Sequence, residues 1–199
     1  MQARFETGFD DEILDLMKKA GFIELALGIE FLDDDSFKEF NKESTYSAII
    51  KSIKNIQKHG IGVRGLFIVG AENDRIGIGD KIVKFVEENN IHGVLIQSMF
   101  FTPGTLVYEQ NKDILIHENW EKYDGNVVHY PKNIKPHELQ QEIITASRKI
   151  YSVKKLIHVI LHSQFIYKVL FVGEFFWHMS VRKDLKKELK YLKSLGAEC

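Results

Sequence analysis

The chain has 199 residues, 44% hydrophobic and 28% charged, a composition that supports one substantial globular core and argues against the disordered class. Lys plus Arg number 27 against 28 Asp plus Glu, so the formal charge of −1 gives no electrostatic case for a nucleic-acid partner. A lone cysteine, Cys199, permits neither an intrachain disulfide nor a cysteine-based metal site, and without a basic-then-apolar leader over residues 1–11 the expected compartment is a reducing cytoplasm.

In chain order, Ala3 to Thr7 reads as a first strand. Asp10 and Asp11 then precede an apolar stripe of Ile13, Leu14, Leu16 and Met17 that Gly21 stops, which predicts a short helix. Ile23 to Glu30 is a strand, and Ser44 or Thr45 caps a second helix that carries Ile49, Ile50, Ile53 and Ile56 and ends at Gly60. Val63 to Gly70 is almost continuously apolar, as strands covered on both faces are. A helix from about Gly79 to Asn89 and a strand from Gly93 to Phe100 complete a βαβαβαβ order. That alternation predicts a parallel sheet with right-handed crossovers, either open and doubly wound or part of a barrel. In both, chemistry sits at the carboxyl ends of the strands: Glu6 and Thr7, Glu30, Gly70 to Asp74, and Phe101 to Thr105.

Residues 106–136 hold Trp120, Tyr123, Tyr130 and two prolines without a sustained period, and read as a long ordered loop packed by its aromatics. From Pro136 the chain is helical to Leu195, with breaks expected near Ser163 and Gly173. Its apolar stretch from Phe165 to Trp177 is interrupted by Tyr167, Lys168 and Glu174 and is short of the roughly 20 residues of a membrane span. The basic cluster Arg182 to Lys193 is interleaved with Leu185, Leu189 and Leu192, the pattern of a solvated helix face.

Gly60-Ile61-Gly62-Val63-Arg64-Gly65 matches the dinucleotide fingerprint in letters but precedes a strand where the fingerprint must follow one, so Gly60 is read as a helix C-cap. His158 and His162 have metal-ligand spacing, yet their neighbours are apolar and no carboxylate stands near in sequence; packing is the preferred reading. Asp33, Asp34 and Asp35 precede Phe37 and Phe40 as acids at a helix start do. Glu30 ends an apolar strand at the chemical edge of the sheet, where a carboxylate either caps the next loop or accepts hydrogen bonds from a ligand hydroxyl or amine. Lys42 either lies on the surface or returns to that edge as a positive charge for a ligand carboxylate.

Glu12 to Gly21 followed by Gly28-Ile29-Glu30 resembles the middle of the radical S-adenosylmethionine (SAM) enzymes, particularly the class often fused to a cobalamin-binding domain. His59-Gly60-Ile61 into Gly65 to Gly70 resembles their fifth barrel strand, and Thr102-Pro103-Gly104-Thr105 with Tyr108 and Glu109 their sixth-strand exit. Trp120, Tyr123-Asp124-Gly125, Pro131-Lys132-Asn133 and Tyr151-Ser152 resemble the segment after the barrel, so the likeness spans about residues 3 to 155. It implies a partial six-stranded barrel entered at its third strand. In the family a 4Fe-4S cluster on a CxxxCxxC loop after the first strand binds SAM and yields a 5′-deoxyadenosyl radical. That loop and the second-strand motif for the SAM amine are not in this sequence, and one cysteine cannot replace the thiolates.

By the same resemblance Glu30 contacts SAM from the fourth strand and Lys42 stands where an Arg often meets the SAM carboxylate, without the bidentate fork. Gly70 lets the adenine approach the backbone, Asn73-Asp74 replaces a glycine followed by an acid, and Phe101 flanks the adenine.

The expected fold is therefore an α/β incomplete parallel (βα) barrel of about four strands: a barrel part over 1–112, a post-barrel extension over 113–150 and a helical appendage over 151–199. The expected function is the carboxyl-terminal part of a radical SAM enzyme, silent alone, with no catalytic or metal-binding residue and no cofactor of its own. SAM and a 4Fe-4S cluster belong to the complete enzyme, whose chemistry is methylation or ring formation on an apolar or tetrapyrrole-like substrate. The expected partner is the absent amino-terminal barrel half or a second copy. An interaction module pairing its open strand edge is the alternative, and a small enzyme using Glu30 and Glu6 as acid and base is a third reading.

Overall fold

Leu25, Leu27 and Ile29 alternate with Ala26, Gly28 and Glu30, and in the computed structural model the first set is buried while the second is half-buried. The structure describes residues 1–32, 46–117, 119–163 and 165–195. Four parallel strands, β1 (Gln2–Ala3), β2 (Glu24–Glu30), β3 (Gly62–Val69) and β4 (Gly93–Ser98), lie in the order β1-β2-β3-β4. One face, built from Leu25, Leu27, Ile29, Val63, Phe67, Val69 and Val94, carries the core. The opposite face, with Ala26, Gly28, Leu66, Ile68, Leu95 and Gln97 in register, is only half-buried. A four-stranded parallel sheet with one open face is a barrel segment, as the sequence leads one to expect.

The helices form where the apolar stripes predict. Helix α1 (Asp11–Lys19) is capped by Asp10, whose Oδ1 accepts from the Ile13 amide at 3.0 Å. Helix α2 (Tyr46–Lys58) buries Ile49, Ile53 and Ile56 and ends at Gly60 with φ +73, the left-handed cap read from the sequence. Helix α3 (Ile78–Glu88) and helix α5 (Pro136–Ile150) approach so closely that a Cβ on Gly79 would stand 2.8 Å from the Glu142 carbonyl oxygen, and Glu142 Oε2 accepts from the Gly79 amide at 2.9 Å. Between them, residues 106–136 contain helix α4 (Leu106–Gln110), two 3-10 turns and an isolated antiparallel bridge between Leu115 and His129. Within this segment Val127 and Val128 are fully buried, and buried Gln140 accepts from the Val127 amide at 3.1 Å and donates to Asn126 Oδ1 at 2.8 Å.

Two expectations are corrected. Ala3 to Thr7 is not a strand: pairing stops at Ala3, and Phe5–Phe9 is a 3-10 turn. Ser52 Oγ donates to the Phe5 carbonyl at 2.5 Å and Asn55 Nδ2 to the Gly8 carbonyl at 2.9 Å, so α2 claims backbone acceptors that a strand would need. Gly173 breaks nothing. After α6 (Val153–His162), helix α7 runs unbroken over Phe165–Leu195, because buried Phe171 and Phe175 anchor it on both sides of the glycine. The expected break near Ser163 is present.

The tail reaches the sheet through Tyr151. Its hydroxyl accepts from the Val94 amide at 2.8 Å and has the Val94 carbonyl at 3.2 Å and Glu174 Oε2 at 3.3 Å as acceptors for its own proton. Burial raises the tyrosine pKa, so this proton stays. Further along β4, the Ser98 amide donates to the Gly125 carbonyl at 3.1 Å. The outer edge of β4 is thus capped at both ends.

Candidate functional site

The carboxyl ends of β2, β3 and β4 bring together three of the four candidate binding residues: Glu30, Gly70 and Phe101. Lys42 lies outside the described residues, as do Asp33, Asp34, Asp35 and Cys199. Glu30 has φ +63, a left-handed backbone that glutamate rarely adopts, at a register shift where Gly28 pairs Leu66 and Glu30 pairs Phe67. Its carboxylate folds back along the strand: a Cβ built on Gly28 would stand 3.4 Å from Glu30 Oε1. Oε1 therefore lies over the Gly28 position on the half-buried face of the sheet, and Oε2 is buried.

Gly70 has φ +102, and its polar groups are taken by its own chain. Its amide donates to Asp74 Oδ2 at 2.6 Å, the Ala71 amide donates to the same oxygen at 3.2 Å, and its carbonyl accepts from His129 Nε2 at 3.2 Å. A Cβ at Gly70 would meet His129 Cε1 at 2.8 Å and Leu139 at 3.2 Å. The close approach that this glycine permits is made by His129, which is 1% exposed and also packs edge-to-face on Phe101 with ring centroids 5.7 Å apart. Burial lowers the His129 pKa, and the backbone bonds only partly offset this, so the ring is neutral and donates from Nε2. No sequence signal singled out His129, because a histidine after two valines in an irregular segment reads as filler.

Among the other candidates, Glu6 is exposed and its carboxylate is paired with Arg4 at 2.5 Å, which gives an acid-base couple with Glu30 no support. Thr105 caps α4 by accepting from the Tyr108 amide at 3.2 Å, while Lys132 and Asn133 bind Glu72 at 2.7 and 2.5 Å and pin the post-barrel segment to the turn after β3. His158 and His162 stack with centroids 4.6 Å apart, and no group of three or more His, Cys, Asp or Glu able to hold a metal occurs among the described residues.

A second polar cluster lies at the opposite end of the sheet, which sequence reasoning missed. Arg64 donates to Glu24 at 2.9 Å and to Glu174 at 2.6 Å, beside a cavity of about 120 Å³ lined also by His92, Lys155 and Tyr167. The arginine is shared by β2, β3 and α7, and its charge is spent on that junction.

Against known proteins, residues 5–77 match the Radical SAM superfamily. Those residues belong to the radical SAM superfamily. The match begins at the 3-10 turn, includes Glu30 and Gly70, and ends just before α3. The chain is 30% identical over 147 residues to a bacteriochlorophyllide d C-12(1)-methyltransferase of Chlorobaculum tepidum, covering 70% of the chain and 31% of that protein. It is 28% identical over 111 residues to a hopanoid C-2 methylase of Rhodopseudomonas palustris, covering 54% of the chain and 21% of the methylase. An anaerobic magnesium-protoporphyrin IX monomethyl ester cyclase of Rubrivivax gelatinosus is 31% identical over 81 residues, 41% of the chain and 15% of the cyclase. The chain thus spans less than a third of the length of these curated relatives. Of the two groups the superfamily implies, SAM would meet the residues at the strand end that carries the Glu30 carboxylate. They do not fit an iron-sulfur cluster, since the sequence holds one cysteine.

Proposed function

We propose that this chain is the SAM-binding and post-barrel part of a radical SAM enzyme that methylates or cyclises a large apolar or tetrapyrrole substrate. The observation that carries the reading is Glu30: within the matched stretch, a carboxylate at the end of β2 is held on a left-handed backbone with Oε1 turned back over Gly28. In the complete active site SAM supplies the oxidant that removes a substrate hydrogen. Glu30 accepts hydrogen bonds from its polar end, and Lys42 meets its carboxylate. Phe101, backed by His129, gives the strand-six side an apolar wall, while Gly70 acts through His129 and Asp74. The cluster thiolates come from polypeptide outside these 199 residues. The names of the relatives, two methyl-transferring enzymes and a cyclase, support the substrate class.

Equilibrium dialysis with labelled SAM tests the reading. The purified chain is expected to bind SAM weakly, and Glu30→Gln is expected to weaken binding about tenfold or more with an unchanged denaturation midpoint. Absence of SAM binding, or equal binding by Glu30→Gln, sinks it. Anaerobic reconstitution with iron and sulfide is expected to give no 4Fe-4S absorption and no 5′-deoxyadenosine; either product overturns the division of labour.

A second reading, strand pairing with a partner, draws on the edges: among the described residues the outer edge of β4 is bridged by Tyr151 and Gly125, while no hydrogen bond bridges the outer edge of β1. Full hydrogen-exchange protection of Gln2 and Ala3 in a monomer excludes it.

A further inference from the structure

One face of α7 changes character along its length. Phe165, Val169 and Phe176 follow one another at spacings of four and seven, and are 79%, 51% and 62% exposed. The same face continues with Lys183 and Lys187, both exposed. On α6, Ile157 and Leu161, four apart, are 53% and 67% exposed, and Trp177 on the flank of the α7 stripe is half exposed.

The charge of this tail is unlike that of the whole chain. Residues 153–195 hold nine Lys and Arg against three Asp and Glu, although the chain as a whole is −1. Two of the three acids are turned inward, Glu174 to Arg64 and buried Glu188 to Lys122 at 3.2 Å, which leaves Asp184 as the single exposed acid of the described tail. The outward surface is therefore apolar, then strongly basic.

No helix among the described residues is long and apolar enough to cross a membrane. A helix that lies in the interface plane needs something different: an apolar face with aromatic residues and lysines placed to meet phosphates. A second copy of the chain fits the face poorly. Parallel pairing of two α7 helices sets lysine against lysine, and antiparallel pairing sets lysine against phenylalanine. A bilayer surface with anionic headgroups satisfies both halves at once.

We propose that the α6–α7 tail docks on an anionic lipid bilayer, with the Phe165–Phe176 stripe at the acyl boundary and the Lys183–Lys187 row among the headgroup phosphates. The proposal concerns the tail alone and does not depend on the SAM reading.

Co-sedimentation of the whole chain with vesicles of phosphatidylglycerol and phosphatidylcholine, against phosphatidylcholine alone, is the test. Binding is expected only to the anionic vesicles, weakening as salt rises. A Lys183→Glu, Lys187→Glu variant is expected to bind about tenfold more weakly. Phe165→Asp with Phe176→Asp is expected to stay in the supernatant with an unchanged thermal melt, since both side chains are exposed. In a Trp120→Phe background, Trp177 emission is expected to shift to the blue on binding and to be quenched by brominated acyl chains. The idea is overturned by a chain that stays in the supernatant with anionic vesicles at low salt, by wild-type binding of the double aspartate variant, or by unquenched Trp177. A dimer that Phe176→Asp dissociates, with no vesicle binding, also overturns it and assigns the face to a second copy.

Discussion

At the carboxyl end of the sheet, Gly70 gives its amide to Asp74 and its carbonyl to a neutral histidine, and the seal depends on the absence of a side chain. At the amino end, Arg64 stands between Glu24 and Glu174, and the seal depends on charge. The first end is fixed by shape and tolerates salt; the second joins the tail to the sheet and is exposed to anything that alters protonation. A site at the first end is therefore preorganised by backbone geometry, whereas the position of α7 rests on an ion network.

The largest effect is expected at the charged end. Arg64→Met leaves two half-buried carboxylates facing each other and should cost about 3 kcal/mol, discounted from a fully buried pair because the side chains retain 14–22% exposure. Urea denaturation measures it, and restoration by Glu24→Gln with Glu174→Gln separates repulsion from lost packing. Gly70→Ala should cost about 2 kcal/mol, from the positive φ and the 2.8 Å approach of His129. Pairing it with His129→Ala should recover only the steric part; full recovery would mean that backbone strain contributes nothing. Tyr151→Phe should cost about 1 kcal/mol and speed exchange of the Val94 amide, whose acceptor is lost. Unchanged exchange there would show that the tail does not cap the strand.

A reversible perturbation is acid. Burial lowers the pKa of His178 to about 4, with Glu174 opposing and Arg182 and Arg64 reinforcing the shift, and burial also lowers His92 and His129. Unfolded histidines take up protons from about pH 6.5 downward. Between about pH 6.5 and 4 the unfolded chain binds more protons than the folded one, so stability is full above that window and falls as pH drops through it. The urea midpoint should decline over this range, and His178→Gln should flatten the slope. An unaltered slope would assign the acid response to other groups.

Much of this was legible in the sequence. Ile49, Ile53 and Ile56 sit at a helical period and pack where that period puts them, whereas the near-continuous apolar run at β3, read as covered on both faces, is buried on its core face and only half-buried on the other. Glu30 was legible as a carboxylate at a strand end, but its left-handed backbone was not, since glutamate carries no propensity for it. What stayed hidden is long-range. Ser52 reaches 47 residues back to the Phe5 carbonyl and turns an expected strand into a 3-10 turn. His129 fills the space before Gly70 across 59 residues. Arg64 did leave a trace, because a charge inside an apolar strand demands a partner, but nothing local points to Glu174, 110 residues on.

The tyrosine cap on β4 also bears on how the sheet can grow. Strands propagate into fibrils by adding at one edge while offering another, and a sheet with a bridged edge has only one surface to offer. Two copies joined through β1 would present β4 at each outer margin, where the Val94 amide is already satisfied by Tyr151. An edge closed in this way, by a hydroxyl 57 residues from its target and by the Gly125 carbonyl, is a poor template for a further strand.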